Sequence, residues 1–397
     1  MLLPDGAADE PCDALAGRTP LQHARTPAMD DVARSGIVGV TRTAPHGFSP
    51  GSDVCTMSLL GYAPSTFYTG RAPIEAIAQN LPLQPSDTVI RCNLVTVRDG
   101  IMVDFSAGHI RTDEAAQLID ALNRGLGSPE RSFHAGVSYR HLLIDRTGAD
   151  LSFRATPPHD IQSQPISRYL PTGPGADIVN QLMLDSAAIL AGHDVNAVRV
   201  DLGENPATQI WLWGQGPKPS LPSFHQRFGL TAACVTEVDL VRGLALLVGW
   251  DLLHVDGLTG FTDTNYAGIG AACVDALDRY DLVCAHIEAP DECGHMGNAV
   301  EKARALSRID HHILQPVLEK IRTFPHWRVL IAPDHPTPCR VRTHTAEWPP
   351  FALAGTGIAP RRAGGFDEQH ARDSGLQVDP ASRLLPDLVL SRTGPTG

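Results

Sequence analysis

The sequence predicts an α/β protein. Its core is a doubly wound, mostly parallel sheet built from both ends of the chain, with the middle of the chain inserted as a separate α+β domain. Three observations lead there. Apolar runs alternate with amphipathic helical stretches near the start and again after about residue 229. The stretch 66–228 has another texture, with alternating strand patterns that read as antiparallel. A chain of 397 residues is also long for one hydrophobic core. The expected division is 1–65 with 229–397 as the core and 66–228 as the insert.

The first element, in "MLLPDGAADEP", is an apolar scrap ending in Pro-Asp-Gly. A core strand has about five or six residues, so this one is short, as expected if its first few residues are missing. In "RTPAMDDVARSG", Thr26 is placed to cap a helix, Pro27 takes the first helical position, Met29, Val32 and Ala33 share a face, and Gly36 ends it. "GIVGVTRTA" follows as a short strand. In the insert, "TVIRCNLVTVRDGIMVDF" and "GVSYRHLLIDR" read as strands, with a helix from about Thr112 to Leu126 between them. Trp211 and Trp213 of "IWLWGQG" are expected to pack in the interior. Further on, "DLVCAHI" is a buried strand, and a helix over 300–321 presents Leu306, Ile309, Ile313, Val317 and Ile321 inward. "WRVLIAPDH" is a buried strand, "WPPFALAG" an edge strand, and "SRTGPTG" a frayed tail.

Composition narrows the function. With 43% hydrophobic and 19% charged residues the chain is an ordinary folded protein. A net charge of −12 argues against nucleic-acid or anionic-membrane surfaces, so an anionic substrate needs a local arginine cluster. The cysteines are scattered without a CxxC, and several lie in apolar runs, which points to free thiols in a reducing compartment. No targeting segment or membrane-length apolar run is visible, so a soluble, cytoplasmic protein is expected.

Four segments share one design, an apolar strand followed by acidic or imidazole residues. They carry Asp5 in "LLPDG", Asp291 and His295 in "IEAPDECGHMGN", Asp334 and His335 in "LIAPDH", and His344 in "VRTHT". Singly, each is unremarkable: an Asp after a strand is most often a turn former or helix cap, and a lone His is most often structural. Together they occupy equivalent places at strand ends, where open α/β sheets form their ligand crevice. Carboxylates and imidazoles without thiolates suit Mn²⁺, Mg²⁺ or a catalytic Zn²⁺ pair. Six such groups exceed what one open catalytic ion uses, which implies two ions, an arrangement suited to phosphoryl displacement. Ser52 in "FSPGSDVCTMSLLGY" is the candidate nucleophile. On sequence alone it reads first as a helix N-cap, and the two roles are compatible because phosphate is favoured at a helix N-terminus.

The motifs "PDGAADEP", "RTPLQHARTP", "PGSDVCTMSLLGY", "YTGRAPIEA", "RCNLVTV", "DFSAGHI", "GVSYRHLL", "TPPHDI", "IWLWGQG", "DTNY", "EAPDECGH" and "PDHPTP" with "RTHT" run in order along essentially the whole chain. Together they resemble the archaeal-type 2,3-bisphosphoglycerate-independent phosphoglycerate mutases, a family also found in bacteria and part of the alkaline phosphatase superfamily. The resemblance implies an alkaline-phosphatase-like core and interconversion of 3-phosphoglycerate and 2-phosphoglycerate in glycolysis and gluconeogenesis. It implies two divalent ions, Mn²⁺ foremost with Mg²⁺, Co²⁺ or Zn²⁺ as alternatives, and no 2,3-bisphosphoglycerate. Ser52 resembles the transiently phosphorylated serine. Asp5, Ser52, Asp334 and His335 resemble the ligands of one ion, and Asp291, His295 and His344 those of the other. His109 matches a histidine near the transferring group, and Arg91, Arg140 and Asp160 are candidate substrate residues in the insert. The insert is expected to close over the crevice on hinges near 63–68 and 225–231, retaining glycerate while the phosphoryl group sits on Ser52. Two departures stand out: the short first strand, and Ile269 after "DTNYAG", where family members often carry Lys. The rivals are a homoserine kinase-like phosphotransferase, a metal-dependent phosphomonoesterase and a non-enzymatic binding module. Neither a P-loop nor a kinase glycine-rich loop is present to favour the first.

Overall fold

The structure, a computed structural model, describes residues 1–361 and 363–391, so 392–397 of the expected tail lies outside the described residues. The chain divides into two compact units, Met1–Tyr68 with Leu221–Gly397, and Thr69–Ser220. The second boundary falls before the texture change at 229, because 221–228 is tied to the first unit. Tyr62 donates its hydroxyl to the Pro222 carbonyl at 3.0 Å, and Phe224 packs edge-on against Trp250.

In chain order the strands are β1 (Leu2–Pro4), β2 (Ile37–Thr41), β3 (Thr88–Arg98), β4 (Ile101–Asp104), β5 (Arg131–His134), β6 (Arg140–Asp145), β7 (Gln209–Pro217), β8 (Ala232–Val235), β9 (Asp251–Leu252), β10 (Leu282–Ile287), β11 (Arg328–Ile331), β12 (Pro350–Gly355) and β13 (Gln377–Val378). The first unit's sheet has the order β13-β2-β12-β11-β1-β10-β8-β9. β1 lies parallel to both β10 and β11, and β10 parallel to β8. Three residues suffice for β1 because both neighbours cover it: Leu2 and Leu3 are almost fully buried, and the ladder continues through the Asp5 amide to Ile287 O at 3.0 Å.

Three details depart from the sequence reading. β12 is interior and antiparallel to both β11 and β2. Its prolines stand at and before its first residue, where no ladder donor is lost, and Phe351–Ala354 are buried. The 300–321 stretch is the helix Ala299–Ile309, a π-turn Asp310–Leu314 and the helix Gln315–Ile321. The extra residue of the π-turn rotates the inward stripe, so Leu314 and Leu318 are core residues and Val317 is only partly buried. Thr26 makes no side-chain cap for the helix Pro27–Ser35. The carboxylate of Asp310 accepts from the Ala28 and Met29 amides instead, at 3.1 and 2.7 Å.

The second unit is α+β. β3 pairs antiparallel with β4, β6 and β7, and β6 with β5. The helices Thr112–Leu126 and Ala176–Ala191 pack on this sheet, and Trp211 sits fully buried in their shared core. Among the described residues no helix is long and apolar enough to cross a membrane.

Candidate metal centre

Because β1, β10 and β11 run parallel, the segments leaving their C-terminal ends emerge along one edge of the first unit's sheet. Asp5 follows β1, Asp291 and His295 lie on the helix Ala289–Met296 just after β10, and Asp334 and His335 follow β11. Two glycines let these segments meet. Gly6 has φ +59°, and a Cβ there would strike Asp291 and Thr337. A Cβ on Gly294 would strike the Thr337 backbone. His344 comes from the 332–349 loop, and its Nδ1 lies 2.8 Å from the Pro50 carbonyl, two residues before Ser52.

Ser52 is the first residue of the helix Ser52–Leu59. Gly51 holds the N-cap position, so Ser52 does not cap. Its Oγ is 3.3 Å from His335 Nε2. The same Nε2 lies 3.3 Å from Asp334 Oδ2 and 3.5 Å from Asp5 Oδ1, and all three of these side chains are fully buried. Gly6 N and His335 N donate to Asp334 Oδ1, leaving Asp334 Oδ2 buried without a hydrogen-bond partner.

The second group joins to the first through His335, whose ring stacks on His344 at 3.8 Å and whose Nδ1 is 4.0 Å from Asp291 Oδ1. Asp291 lies 3.0 Å from His295 Nε2 and 3.5 Å from His344 Nε2, and those two nitrogens are 3.1 Å apart. The outer nitrogens fix the tautomers. His295 Nδ1 faces the Arg342 carbonyl at 3.1 Å and His344 Nδ1 the Pro50 carbonyl; each carbonyl can only accept, so each Nδ1 carries the proton. Thr337 donates to Asp291 Oδ1, so its oxygen accepts from His335 Nδ1 at 3.2 Å. Three imidazoles therefore turn their Nε2 atoms toward one another and toward carboxylates, an arrangement that calls for a cation or an extra proton.

The ionisation pattern agrees. Burial, then Asp334, pushes Asp5 well above the usual carboxylate range. Burial also opposes the charge on Asp291, yet the His295 and His344 imidazoles hold it well below that range. The hydrogen bond to Asp291 lifts His295 to about 9. Burial lowers His335. These donors fit divalent ions: among the described residues the sets Asp291–His295–His344 and Asp5–Asp334–His335 each bring their ligand atoms within 4.8 Å. A third such set, Asp5–His286–Glu288, was missed in the sequence. Its signal was there, a histidine inside the otherwise apolar "LVCAHI" at the end of β10.

The candidate substrate residues lie in the second unit. His109, exposed at φ +49°, sits in the turn after β4 that Asp104 braces by accepting from Ser106 and Gly108. An aromatic row links it onward: His109 meets Tyr139, Tyr139 meets Phe105, Phe105 meets His159 and His159 meets Trp213. Arg140 lies over Tyr139 at 5.6 Å and Arg91 over Trp213 at 4.2 Å. Asp160 is largely exposed beside His159. Arg91 is not a free arginine. It is 4% exposed, paired with Glu75 at 2.9 Å and lowered by burial to about 10. Glu75 also takes Arg71 at 3.0 Å. In the first unit Ile269 is wholly buried in the core.

The sequence profile of the 2,3-bisphosphoglycerate-independent phosphoglycerate mutases matches residues 33–196. The chain is 47% identical to such a mutase from Methanothrix thermoacetophila over 98% of each chain. It is 44% identical to a probable one from Geobacter sulfurreducens over 99% of each. Its structure is similar to that of a Pyrococcus horikoshii protein, with a TM-score of 0.81 at 26% identity, covering 100% of this chain and 98% of that one. A cofactor-independent phosphoglycerate mutase from Thermoplasma acidophilum matches with a TM-score of 0.65 at 26% identity, covering 97% of this chain and 96% of that one. With relatives this similar along its whole length, the chain belongs to the 2,3-bisphosphoglycerate-independent phosphoglycerate mutase family.

Proposed function

We propose that the protein interconverts 3-phosphoglycerate and 2-phosphoglycerate, in the glycolytic and gluconeogenic direction alike and in the cytoplasm, through a phosphoserine at Ser52. The observation that carries this reading is Ser52 itself, a hydroxyl at a helix N-terminus 3.3 Å from His335 and beside the two ligand groups, in a chain 47% identical to a mutase. Asp5, Ser52, Asp334 and His335 would hold one divalent ion and Asp291, His295 and His344 the other, with Mn²⁺ favoured by the mixed carboxylate–imidazole set. Such ions neutralise charge on a transferring phosphoryl group and lower the pKa of the serine hydroxyl.

The chain's own groups supply the rest. The phosphoryl group leaves the 3-oxygen of glycerate for Ser52 Oγ, where the free amides and dipole of the helix Ser52–Leu59 favour a phosphate. Ser52 Oγ reacts as the alkoxide, its proton already lost to solvent, and the 3-oxygen takes up a proton, for which His109 is the proposed donor. Return of the phosphoryl group to the 2-oxygen restores the Ser52 alkoxide, and the 2-hydroxyl proton passes back to His109. Within the insert, residues 66–228 in the sequence division, Arg140, His109 and Asp160 are the groups proposed to bind glycerate, whereas Arg91 is already paired with Glu75 and would act by positioning its neighbours.

The test incubates Mn²⁺-loaded protein with 3-phosphoglycerate, with and without ATP plus homoserine, and follows phosphorus species by NMR. 2-Phosphoglycerate formed without ATP is expected. Free phosphate alone would make it a phosphomonoesterase, and ATP-dependent phosphohomoserine would make it a kinase.

A further inference from the structure

We propose that the protein holds a third divalent cation, among the clustered ligand atoms of Asp5, His286 and Glu288. The inference leans on the two-ion reading in one respect, that the other oxygen of Asp5 belongs to the Ser52 centre.

The two oxygens of Asp5 divide between two groups. Oδ1 is 3.5 Å from His335 Nε2, on the side of Asp334 and Ser52, whereas Oδ2 is 3.0 Å from His286 Nε2. Ligand atoms of Asp5, His286 and Glu288 all lie within 4.8 Å of one another. Asp5 and His286 are fully buried, and both Asp5 oxygens, His286 Nε2 and Glu288 Oε2 are shielded from solvent without a hydrogen-bond partner. Buried polar atoms left this way cost free energy unless something satisfies them.

A plain hydrogen bond from His286 to Asp5 does not do so. The 3.0 Å separation is short enough, but the ring N–H direction misses Oδ2, so the contact lacks hydrogen-bond geometry. The far side of the ring is anchored: Val238 N donates to Thr236 Oγ1 at 3.2 Å, and that oxygen lies 3.1 Å from His286 Nδ1. The Thr236 hydroxyl can either accept from Nδ1–H or donate to Nδ1, so it accommodates the tautomer in which Nε2 offers a lone pair, the one an imidazole ligand needs. Glu237 adds a further carboxylate behind the pocket, its Oε1 accepting from Glu288 N at 3.2 Å and its Oε2 buried without a partner.

One imidazole and two carboxylates without a thiolate favour Mn²⁺ over Ca²⁺ or a thiolate-seeking ion. Bridged to the Ser52 centre by Asp5, this ion would hold that carboxylate in place and take no part in bond making. It would be a structural neighbour of the reacting pair.

Crystals equilibrated with Mn²⁺ and examined by anomalous scattering test this. A peak among Asp5, His286 and Glu288 is expected, along with three Mn²⁺ per chain by elemental analysis, falling to two in Glu288→Gln. The wild-type peak does not depend on the variant folding. Manganese confined to Asp5–Asp334–His335 and Asp291–His295–His344 would overturn the third site and leave the two-ion reading intact. A failure of that reading shows separately, as missing peaks at those two groups.

Discussion

The Lys302 ammonium donates to the Asp9 carboxylate at 2.8 Å with both side chains out of solvent, and the same nitrogen reaches the carbonyls of Ala8 and Thr337 at 3.3 and 2.9 Å. Ala8 lies three residues past Asp5 and Thr337 two past His335, so one buried charge staples together two of the loops that present the proposed ligands. Asp9 also accepts from Cys339 N, on the same loop as Thr337. Lys302→Met keeps the apolar stem but strands Asp9, and breaking a buried pair this way costs about 3–5 kcal/mol. Urea melts should show that loss together with weaker Mn²⁺ binding, and adding Asp9→Asn should recover part of the stability. A double variant no more stable than the single would mean that the two groups are not coupled.

Removing Ser52 takes one hydroxyl from a half-buried helix start and leaves no cavity in the core. Ser52→Ala is therefore expected to fold with a melting temperature close to wild type while mutase turnover falls below detection. Phosphoserine trapped during turnover should vanish with it. Phosphate found on Ser58, or an active variant, would move the nucleophile elsewhere.

Chelation should abolish activity, and Mn²⁺, Co²⁺ or Mg²⁺ should restore it. Calorimetry offers a readout independent of turnover. Ions that bind the folded chain and not the unfolded one raise its melting temperature with concentration, and the rise should shrink in His344→Ala. Full activity after verified removal of metal would end the two-ion reading.

His295 sets the pH dependence of that binding. In the metal-free chain its pair with Asp291 lifts it from 6.5 to about 9. A raised imidazole pKa means that the charged pair stabilises the metal-free fold fully below 6.5 and ceases to do so as pH rises through about 9. A divalent ion needs the neutral ring, so binding releases that proton. Mn²⁺ affinity at this group should therefore strengthen as pH rises toward 9, with about one proton released per ion at neutral pH. Titration calorimetry in buffers of different ionisation enthalpy counts the proton, and His295→Gln should abolish its release.

Much of this centre was legible in the sequence because strand ends in an open α/β sheet converge, so Asp5, Asp291, Asp334 and His335 could be placed together from the apolar runs before them. What escaped has physical causes. His286 looked like one more core residue of its strand, since period-2 patterning does not say which faces meet a neighbouring carboxylate. The π-turn at 310–314 left the helical spacing intact on either side and shifted only the phase, which exchanged Val317 for Leu318. β12 reads as an edge strand in the sequence, but its two prolines stand at and before its start, where a proline forfeits no ladder bond and the strand can lie inside the sheet. Arg91 looked available because its partner Glu75 lies on a separate helix, and composition does not show such pairs.

That pairing changes how the insert has to be tested. The sequence treats Arg91 and Arg140 alike, as two arginines for an anionic substrate, but the structure separates them. Arg91 is buried against Trp213 and neutralised by Glu75, whereas Arg140 is exposed over Tyr139, on the aromatic row that also reaches His109. Arg91→Ala would leave Glu75 paired with Arg71, with Arg140 acting on it as well, and should cost about 3–5 kcal/mol of stability, enough to confuse any kinetic reading. Arg140→Ala should cost within about 0.5 kcal/mol, since it removes an exposed side chain. If Arg140 holds the glycerate while the phosphoryl group waits on Ser52, its loss should raise KM about tenfold or more. It should also increase the free phosphate released per 2-phosphoglycerate formed, because glycerate that escapes leaves phosphoserine to water. Mn²⁺ binding should be unchanged. Wild-type KM and no added phosphate release in Arg140→Ala would make Arg140 a surface residue and leave retention of glycerate to other groups of the insert.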